Sequence, residues 1–227
     1  MTLAVRIIPL LLKRGNSLVK GKYFNATRVV GSPLQAARVH AARGVDELML
    51  LDIGREGPDI QMVKKLTESA FHPVTVGGGI RSLEDVQDLF NAGADKVALR
   101  TCSIILTQIA DKYGCQAVCA VMNWVGKCNP TSYARMLEDR GAGEILLQCV
   151  ERDGMMEGYD LRMIEKASHA VNIPVIASCG CGTFQHMVDA VNAGADGVAA
   201  GAFFQFTNNT PKGAAEYLSS HGIEART

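Results

Sequence analysis

Short apolar runs alternate with longer amphipathic stretches eight times along the chain. A short run rich in valine, isoleucine and leucine predicts a buried strand, and apolar residues spaced three or four positions apart predict a helix with one buried face. Each predicted strand precedes a helix candidate, which indicates a parallel sheet covered by helices. The predicted strands are Arg6–Leu12, Glu47–Ile53, Val74–Gly77, Lys96–Leu99, Ala117–Met122, Glu144–Cys149, Val175–Ser178 and Gly197–Ala200.

Three of the predicted helices begin with clear start signals. Ser32-Pro33 combines an N-cap residue with proline in the first turn, and Ser82 with Asp85 has the spacing of a capping box. Pro130-Thr131 marks the start of the helix after the fifth strand in the same way. Each helix start marks where the loop after the preceding strand ends, so these signals locate the βα loops in the sequence.

Two stretches of the chain occur twice in the same order. The segment from Pro73 to Asp95 is echoed from Pro174 to Asp196, and a second echo begins at Arg43 and Arg140. Eight strand–helix units in two homologous halves predict a single (β/α)₈ TIM barrel over residues 1–227, with half-barrels of about 1–115 and 116–227. The chain is short for such a barrel, so we expect trimmed βα loops. An open doubly wound sheet is the alternative, but it would not explain the repeat.

The composition is that of an ordinary globular protein. The 227 residues are 48% hydrophobic with a formal net charge of +0, so no basic excess points to nucleic acid. The apolar opening from Leu3 to Leu12 contains Arg6 and is too short to span a bilayer. Seven cysteines fit the reducing cytoplasm better than a disulfide framework. Cys179 and Cys181 lack CxxC spacing and no cluster of histidines accompanies them, so we expect no metal and no cofactor.

The chemistry of such barrels lies on the loops at the C-terminal ends of the strands. Here glycine-rich turns follow the third, seventh and eighth predicted strands. Glycine lets the backbone approach a ligand closely, and the start of the next helix attracts anions, so two such loops favour a ligand with two phosphates. The alternative is that these glycines only allow tight turns. The residues expected to bind phosphate are Gly79, Arg100, Thr101, Gly154, Gly180, Gly201 and Ala202.

Several longer motifs resemble the cyclase subunit of imidazole glycerol phosphate synthase. They are Arg6-Ile7-Ile8, Leu18-Val19-Lys20-Gly21, Leu51-Asp52-Ile53, Val76-Gly77-Gly78-Gly79-Ile80, Gly93-Ala94-Asp95-Lys96-Val97, the segment 140–147, and Arg152-Asp153-Gly154 with Gly158-Tyr159-Asp160. The resemblance runs almost end to end. It implies a histidine-pathway barrel that receives ammonia from a glutaminase subunit through its own interior and cyclises a bisphosphate ribonucleotide. Lys20, Asp52 and Asp153 would be possible substrate contacts.

The two catalytic aspartates that the resemblance implies are absent from this chain. Their positions, at the ends of the first and fifth barrel strands, hold Leu12 and Asn123. A carboxylate can transfer protons, whereas an alkyl group cannot and an amide scarcely can. A hairpin that follows the fifth strand in the family is also missing. Arg100 replaces an asparagine beside Thr101, and it either strengthens the first phosphate site or fills it.

The opposite end of the barrel keeps the family pattern. The resemblance implies an ammonia gate made of four charged residues, Arg6, Glu47, Lys96 and Glu144, and a contact with the glutaminase through Asp95. For any one member, the alternative is a charged side chain that only closes the barrel floor, and an aspartate like Asp95 is often a turn residue. Four members retained together favour conduction of ammonia.

This chain lacks the two catalytic aspartates but keeps the four gate residues. That combination resembles the branch of the family associated with glycosyl amidation in surface-polysaccharide clusters. There the barrel pairs with a glutaminase-like subunit and passes ammonia to a separate sugar amidotransferase. We therefore expect a docking platform and ammonia conduit without cyclase activity. One alternative is a true cyclase in histidine biosynthesis. The other is a barrel that binds a phosphate ligand, either as an isomerase or as a sensor without catalysis.

Overall fold

Eight strands rich in valine, leucine and alanine lie in parallel and close into a barrel, because the last strand pairs with the first. The computed structural model describes residues 4–54, 56–100, 105–125 and 129–226, with the backbone alone at 26–27. The barrel strands are β1 (Arg6–Arg14), β4 (Leu48–Asp52), β5 (Val74–Gly77), β6 (Lys96–Arg100), β7 (Val118–Trp124), β8 (Glu144–Cys149), β9 (Val175–Ser178) and β10 (Gly197–Ala200). This confirms the predicted (β/α)₈ barrel.

Helices cover the outside of the barrel. Those in the described part of the chain are α1 (Pro33–Ala42), α2 (Ile60–Thr67), α3 (Leu83–Asn91), α4 (Ile105–Tyr113), α5 (Pro130–Asp139), α6 (Leu161–Ser168), α7 (Phe184–Asn192), α8 (Ala202–Phe206) and α9 (Pro211–Ser220). The predicted capping box forms, with the Ser82 hydroxyl accepting from the Asp85 amide and the Asp85 carboxylate accepting from the Ser82 amide. Pro33 begins α1 as predicted, but the Ser32 side chain makes no cap hydrogen bond.

A hairpin that the sequence did not predict follows the first barrel strand. Its strands are β2 (Ser17–Lys22) and β3 (Asn25–Gly31), and β2 runs antiparallel to the end of β1. The turn between them consists of Tyr23 and Phe24, which have φ angles of 54° and 61°. A two-residue turn with both φ angles positive is normally built from Asn-Gly, so the usual hairpin signal is missing. This first connection is longer than the trimmed loops that we expected.

The barrel wall separates two apolar layers. Side chains that point inward fill the barrel itself, among them Ile8, Met49, Val121 and Leu146. Those that point outward pack against the helices in a second, larger cluster. Each fully buried leucine or isoleucine contributes roughly 1.5–3 kcal/mol, so both layers stabilise the fold. Among the described residues no helix combines the length and the hydropathy that crossing a membrane requires.

The two repeated segments make the same contact in both halves. Asp95 accepts a hydrogen bond from the Val74 amide at 2.8 Å, and Asp196 accepts one from the Val175 amide at 2.9 Å. Each aspartate thereby holds the loop before one strand against the start of the preceding strand. Asp95, expected at a partner interface, is thus also a structural residue, although it remains exposed at the N-terminal face of the barrel.

Candidate functional site

A cavity of about 810 Å³ opens at the C-terminal ends of the barrel strands, and we refer to it as the mouth cavity. Because parallel strands in a closed barrel all end on one face, this cavity collects residues that are far apart in sequence. The predicted site residues that line it are Leu12, Lys20, Asp52, Gly79, Arg100, Asn123, Asp153, Gly154, Gly180, Gly201 and Ala202. Thr101, also predicted, lies outside the described residues.

Leu12 and Asn123 both line the mouth cavity from the ends of β1 and β7. The Asn123 Oδ1 atom is buried and accepts no hydrogen bond from the described part of the chain. It can therefore accept a hydrogen bond from a ligand, but an amide does not act as a general acid or base at ordinary pH. The side chains at these two positions shape the cavity and offer a ligand one polar contact, but neither can transfer a proton.

Asp52 is bonded within the chain. Its Oδ2 atom lies 2.5 Å from Nζ of Lys13, and its Oδ1 atom accepts from the Gly54 amide at 2.8 Å. Asp59 adds a second carboxylate 3.1 Å from the same Lys13 nitrogen. Burial lowers the pKa of Lys13, but the hydrogen bonds with Asp52 and Asp59 outweigh it and raise that pKa overall. Both oxygens of Asp52 thus have partners within the chain, while Asp52 also lines the mouth cavity, so its contact with a substrate stays a prediction.

Lys20 and Asp153 face the mouth cavity with fewer partners. Lys20 is 7% exposed, and its Nζ atom donates to the Leu10 carbonyl oxygen at 3.3 Å. Burial lowers the pKa of Lys20 to about 8, although the nearby charge of Asp153 acts in the opposite direction. Burial also raises the pKa of Asp153, whose Oδ2 atom accepts from the Phe24 amide at 3.0 Å. These two groups can therefore exchange protons closer to neutral pH than an exposed lysine and aspartate can.

The glycine loops of the mouth are required by close backbone packing. A Cβ atom at Gly78 would lie 1.9 Å from the Asp52 carbonyl oxygen, and one at Gly180 would lie 2.2 Å from the Gly158 carbonyl oxygen. Both residues have positive φ angles, which glycine adopts at low energy. Steric packing alone thus explains why these residues are glycine. Binding of phosphate at the loops remains a proposal.

The hairpin contributes residues that the sequence analysis missed. Arg14 and Phe24 reach the mouth cavity from the first connection, and they had no sequence signal because the hairpin itself was not predicted. Cys179 lines the cavity from the loop after β9, near the barrel rim as expected. It has a φ angle of 73° and corresponds to Gly78, with a φ angle of 102°, in the first half.

At the floor of the barrel, four charged side chains form a closed ring. Nη1 of Arg6 lies 2.8 Å from Oε2 of both Glu47 and Glu144. Nζ of Lys96 lies 3.4 Å from Oε1 of Glu47 and 2.9 Å from Oε2 of Glu144. The charges therefore alternate around the barrel axis. Glu47 also accepts a hydrogen bond from the Thr75 hydroxyl at 2.9 Å, which fixes its position.

The ring is partly desolvated, which makes each ion pair depend on the others. The Glu47 and Glu144 side chains are 4% and 5% exposed. Burial lowers the pKa of Arg6, but the two glutamates outweigh that effect and raise it overall. Removing one member of a buried pair leaves its partner charged without compensation, which typically costs about 3–5 kcal/mol. The described residues contain no cluster of three His, Cys, Asp or Glu side chains suited to a metal.

Comparison with known proteins places this barrel in a family. The family model described as "Histidine biosynthesis protein" matches residues 6–210. A curated relative, "Imidazole glycerol phosphate synthase subunit HisF" of Chlorobium phaeobacteroides (strain BS1), is 40% identical, and the alignment covers 99% of each chain. The match includes both the floor ring and the mouth cavity. The chain therefore belongs to the histidine biosynthesis protein family, as a HisF-like (β/α)₈ barrel.

Proposed function

We propose that this chain is the barrel subunit of a glutamine-dependent amidotransferase, which conducts ammonia from a glutaminase at its floor to the mouth cavity. The observation that carries the proposal is the closed ring of alternating charge at the floor of the barrel. Above the ring lies an apolar interior, and the mouth has Leu12 and Asn123 where the family resemblance implies two aspartates. The ring members Arg6, Glu47, Lys96 and Glu144 act as the gate.

The apolar interior above the ring suits neutral ammonia and excludes ammonium. Ile8, Met49, Cys119 and Leu146 are all fully buried inside the barrel. An ion entering such a layer loses its hydration with nothing to replace it, whereas a small neutral molecule pays far less. Ammonia produced at the floor would thus reach the mouth without escaping to bulk water as ammonium.

Features of the N-terminal face support docking of the glutaminase there. Asp95 and Phe71 line a shallow depression of about 410 Å³ on this face. The Phe71 side chain is 101% exposed, which is unusual for an aromatic residue on a free surface. A partner that covers Phe71 and Asp95 would also cover the ring and close the entrance to water.

The mouth supports delivery to a separate acceptor enzyme. Leu12 and Asn123 cannot move the protons that ring closure of a ribonucleotide needs, so the ammonia must react elsewhere or with other groups. We propose that the acceptor is a sugar amidotransferase of surface-polysaccharide biosynthesis, in keeping with the resemblance to the glycosyl-amidation branch.

A second candidate function is the cyclase reaction itself. The name of the curated relative and its 40% identity over the whole chain favour this reading. It requires other groups to replace the two aspartates, and Asp153 and Lys20 are two ionisable residues of the mouth cavity whose pKa values are shifted by burial. Both candidates share the glutaminase partner and the floor ring, so the gate experiment applies to either.

The test compares two nitrogen sources in a coupled assay. Barrel, glutaminase and ammonia-consuming enzyme are combined and supplied with glutamine or with free ammonium, and product is measured for wild type and Lys96→Ala. We expect glutamine-dependent product to fall in Lys96→Ala while ammonium-dependent product stays level, because free ammonium supplies ammonia at the mouth without passing the gate.

Lys166→Ala is the matched control, since Lys166 is an exposed lysine on α6, away from the ring. It should leave both activities unchanged. Equal loss with both nitrogen sources in Lys96→Ala would show that the ring only stabilises the fold. No loss with either source would show that ammonia takes another route.

A further inference from the structure

Two buried lysines near the barrel mouth differ in their partners. The positive charge of Lys13 is balanced by two carboxylates, since its Nζ atom lies 2.5 Å from Oδ2 of Asp52 and 3.1 Å from Oδ2 of Asp59. Lys20 is just as enclosed, but within the described residues it forms no ion pair, and its contact with the Leu10 carbonyl is long at 3.3 Å. A buried ammonium without a carboxylate partner is unfavourable, so this environment favours the neutral amine.

Lys20 lies in the wall of the mouth cavity, beside the loop after β10. Lys20 and Gly201 both line the cavity, and a Cβ atom at Gly201 would lie only 2.0 Å from Nζ. Glycine at this position thus makes room for the amine beside the loop after β10. A ligand whose phosphate sits on the neighbouring backbone amides would present its adjacent carbon atoms to this nitrogen.

We propose that Lys20 is a nucleophilic amine that forms a protonated imine with a phosphorylated aldehyde or ketone bound in the mouth cavity. Desolvated lysines with lowered pKa values are the usual imine-forming residues of enzymes. The pKa of Lys20, lowered by burial to about 8, agrees with that role. The proposal does not depend on ammonia conduction.

The chemical step needs only groups that the mouth cavity supplies. The Nζ lone pair attacks the carbonyl carbon, the C=O π electrons move to oxygen, and a proton passes from nitrogen to that oxygen to form a carbinolamine. The hydroxyl group then takes up a second proton and leaves as water, while the nitrogen lone pair forms the C=N bond. Asp153 lines the same cavity, and its raised pKa suits it to hold and return that proton.

The alternative role for Lys20 is that of a simple positive charge beside a phosphate. Both roles place an anionic ligand in the cavity, but only the imine can be reduced to a stable secondary amine. Trapping with a hydride donor therefore separates them.

The probe is glycolaldehyde phosphate, added to the purified chain with sodium cyanoborohydride, which delivers hydride to the imine carbon. Intact-mass measurement should show one adduct with the mass of the probe less one oxygen atom, and peptide mapping should place it on Lys20. Lys20→Met should lose the adduct. Lys22→Met is the matched control, because Lys22 is an exposed lysine on the same strand, and it should label like wild type.

Labelling that persists in Lys20→Met, or that spreads over exposed lysines in wild type, would overturn the proposal. The proposal would also be overturned if inorganic phosphate displaced the probe from the cavity but the hydride donor never trapped an adduct. Lys20 would then act only as a positive charge beside the phosphate. Peptide mapping of the wild-type adduct locates the modified residue even if Lys20→Met does not fold.

Discussion

At the residue scale, burial sets the charge of several side chains according to the partners they find. Lys13 is held charged by two aspartates, whereas Lys20 lacks a carboxylate partner among the described residues. His40 on α1 is a third case, because it is 3% exposed and its Nδ1 atom has no hydrogen-bond partner in the described part of the chain. Its ring packs edge-on against the Phe204 ring, with the two ring centroids 6.1 Å apart. Such groups link the stability of the barrel to pH.

His40 should make the barrel less stable as the pH falls. Burial, and then the positive charges of Arg43, Lys20 and His72, lower the pKa of His40 to about 4 from its ordinary value of 6.5. Between these values the unfolded chain binds a proton that the folded chain excludes, so the free energy of unfolding falls as pH drops through this window. The loss attributable to His40 is about 3 kcal/mol.

Urea denaturation of wild type and His40→Leu at pH 7 and pH 4.5 measures this loss. The variant should lose less stability on acidification than wild type does. His221→Gln is the control, since His221 is exposed and should leave the difference unchanged. If wild type and His40→Leu lose the same amount, other groups cause the acid sensitivity.

At the element scale, the β2–β3 hairpin shapes one side of the mouth. It carries Lys20, and its tip is tied to the loop after β8 because the amides of Tyr23 and Phe24 donate to the main chain and the side chain of Asp153. The turn adopts positive φ angles at two aromatic residues, which is unfavourable for residues with a Cβ atom. Contacts with Asp153 therefore hold the hairpin in a conformation that its own sequence disfavours.

Replacing Tyr23 with asparagine should stabilise the barrel. Tyr23 is 54% exposed, so little packing is lost, and asparagine adopts the left-handed conformation more readily. We expect a gain of about 1 kcal/mol in the free energy of unfolding, measured by urea denaturation. Tyr23→Ala is the control, because alanine removes the ring without easing the backbone. A gain of equal size in both variants would assign the effect to the ring.

At the scale of the whole molecule, the two ends of the barrel differ in their chemistry. The floor holds a ring of four charges, and the mouth holds an open cavity lined by Leu12 and Asn123, at the positions where the family resemblance implies two aspartates. The barrel strands separate these two sites. The ammonia supply that we propose at the floor and the ammonia use that we propose beyond the mouth can therefore be tested one at a time.

Supplied with ammonium and the bisphosphate ribonucleotide of the histidine pathway, the purified chain should show no measurable cyclisation. Loss of a positioned acid or base lowers a rate by about 10²–10⁴, and two such groups are absent here. Product formation is followed by chromatography, with a HisF-type cyclase as the positive control under the same conditions. Turnover at an ordinary enzyme rate would establish the cyclase reading in place of ours.

The sequence by itself determined the barrel and most of the residues at its two ends. All eight predicted strands form, with bounds that differ by at most two residues, because strand and helix periodicity are local properties of the chain. The mouth positions follow from strand ends, which a closed parallel barrel brings together, and the four ring residues were expected from the family resemblance.

Only the tertiary structure decided which of these side chains are free to act. Lys13 and the Gly54 amide bind the two oxygens of Asp52, a pairing that no sequence pattern indicated. The hairpin was not predictable because a Tyr-Phe turn has no local preference for positive φ and is held by Asp153, more than a hundred residues away in sequence. Lys20 owes its lowered pKa to burial in the folded barrel. Partners, burial and strain of this kind arise from contacts between distant segments, so no pattern within one segment encodes them.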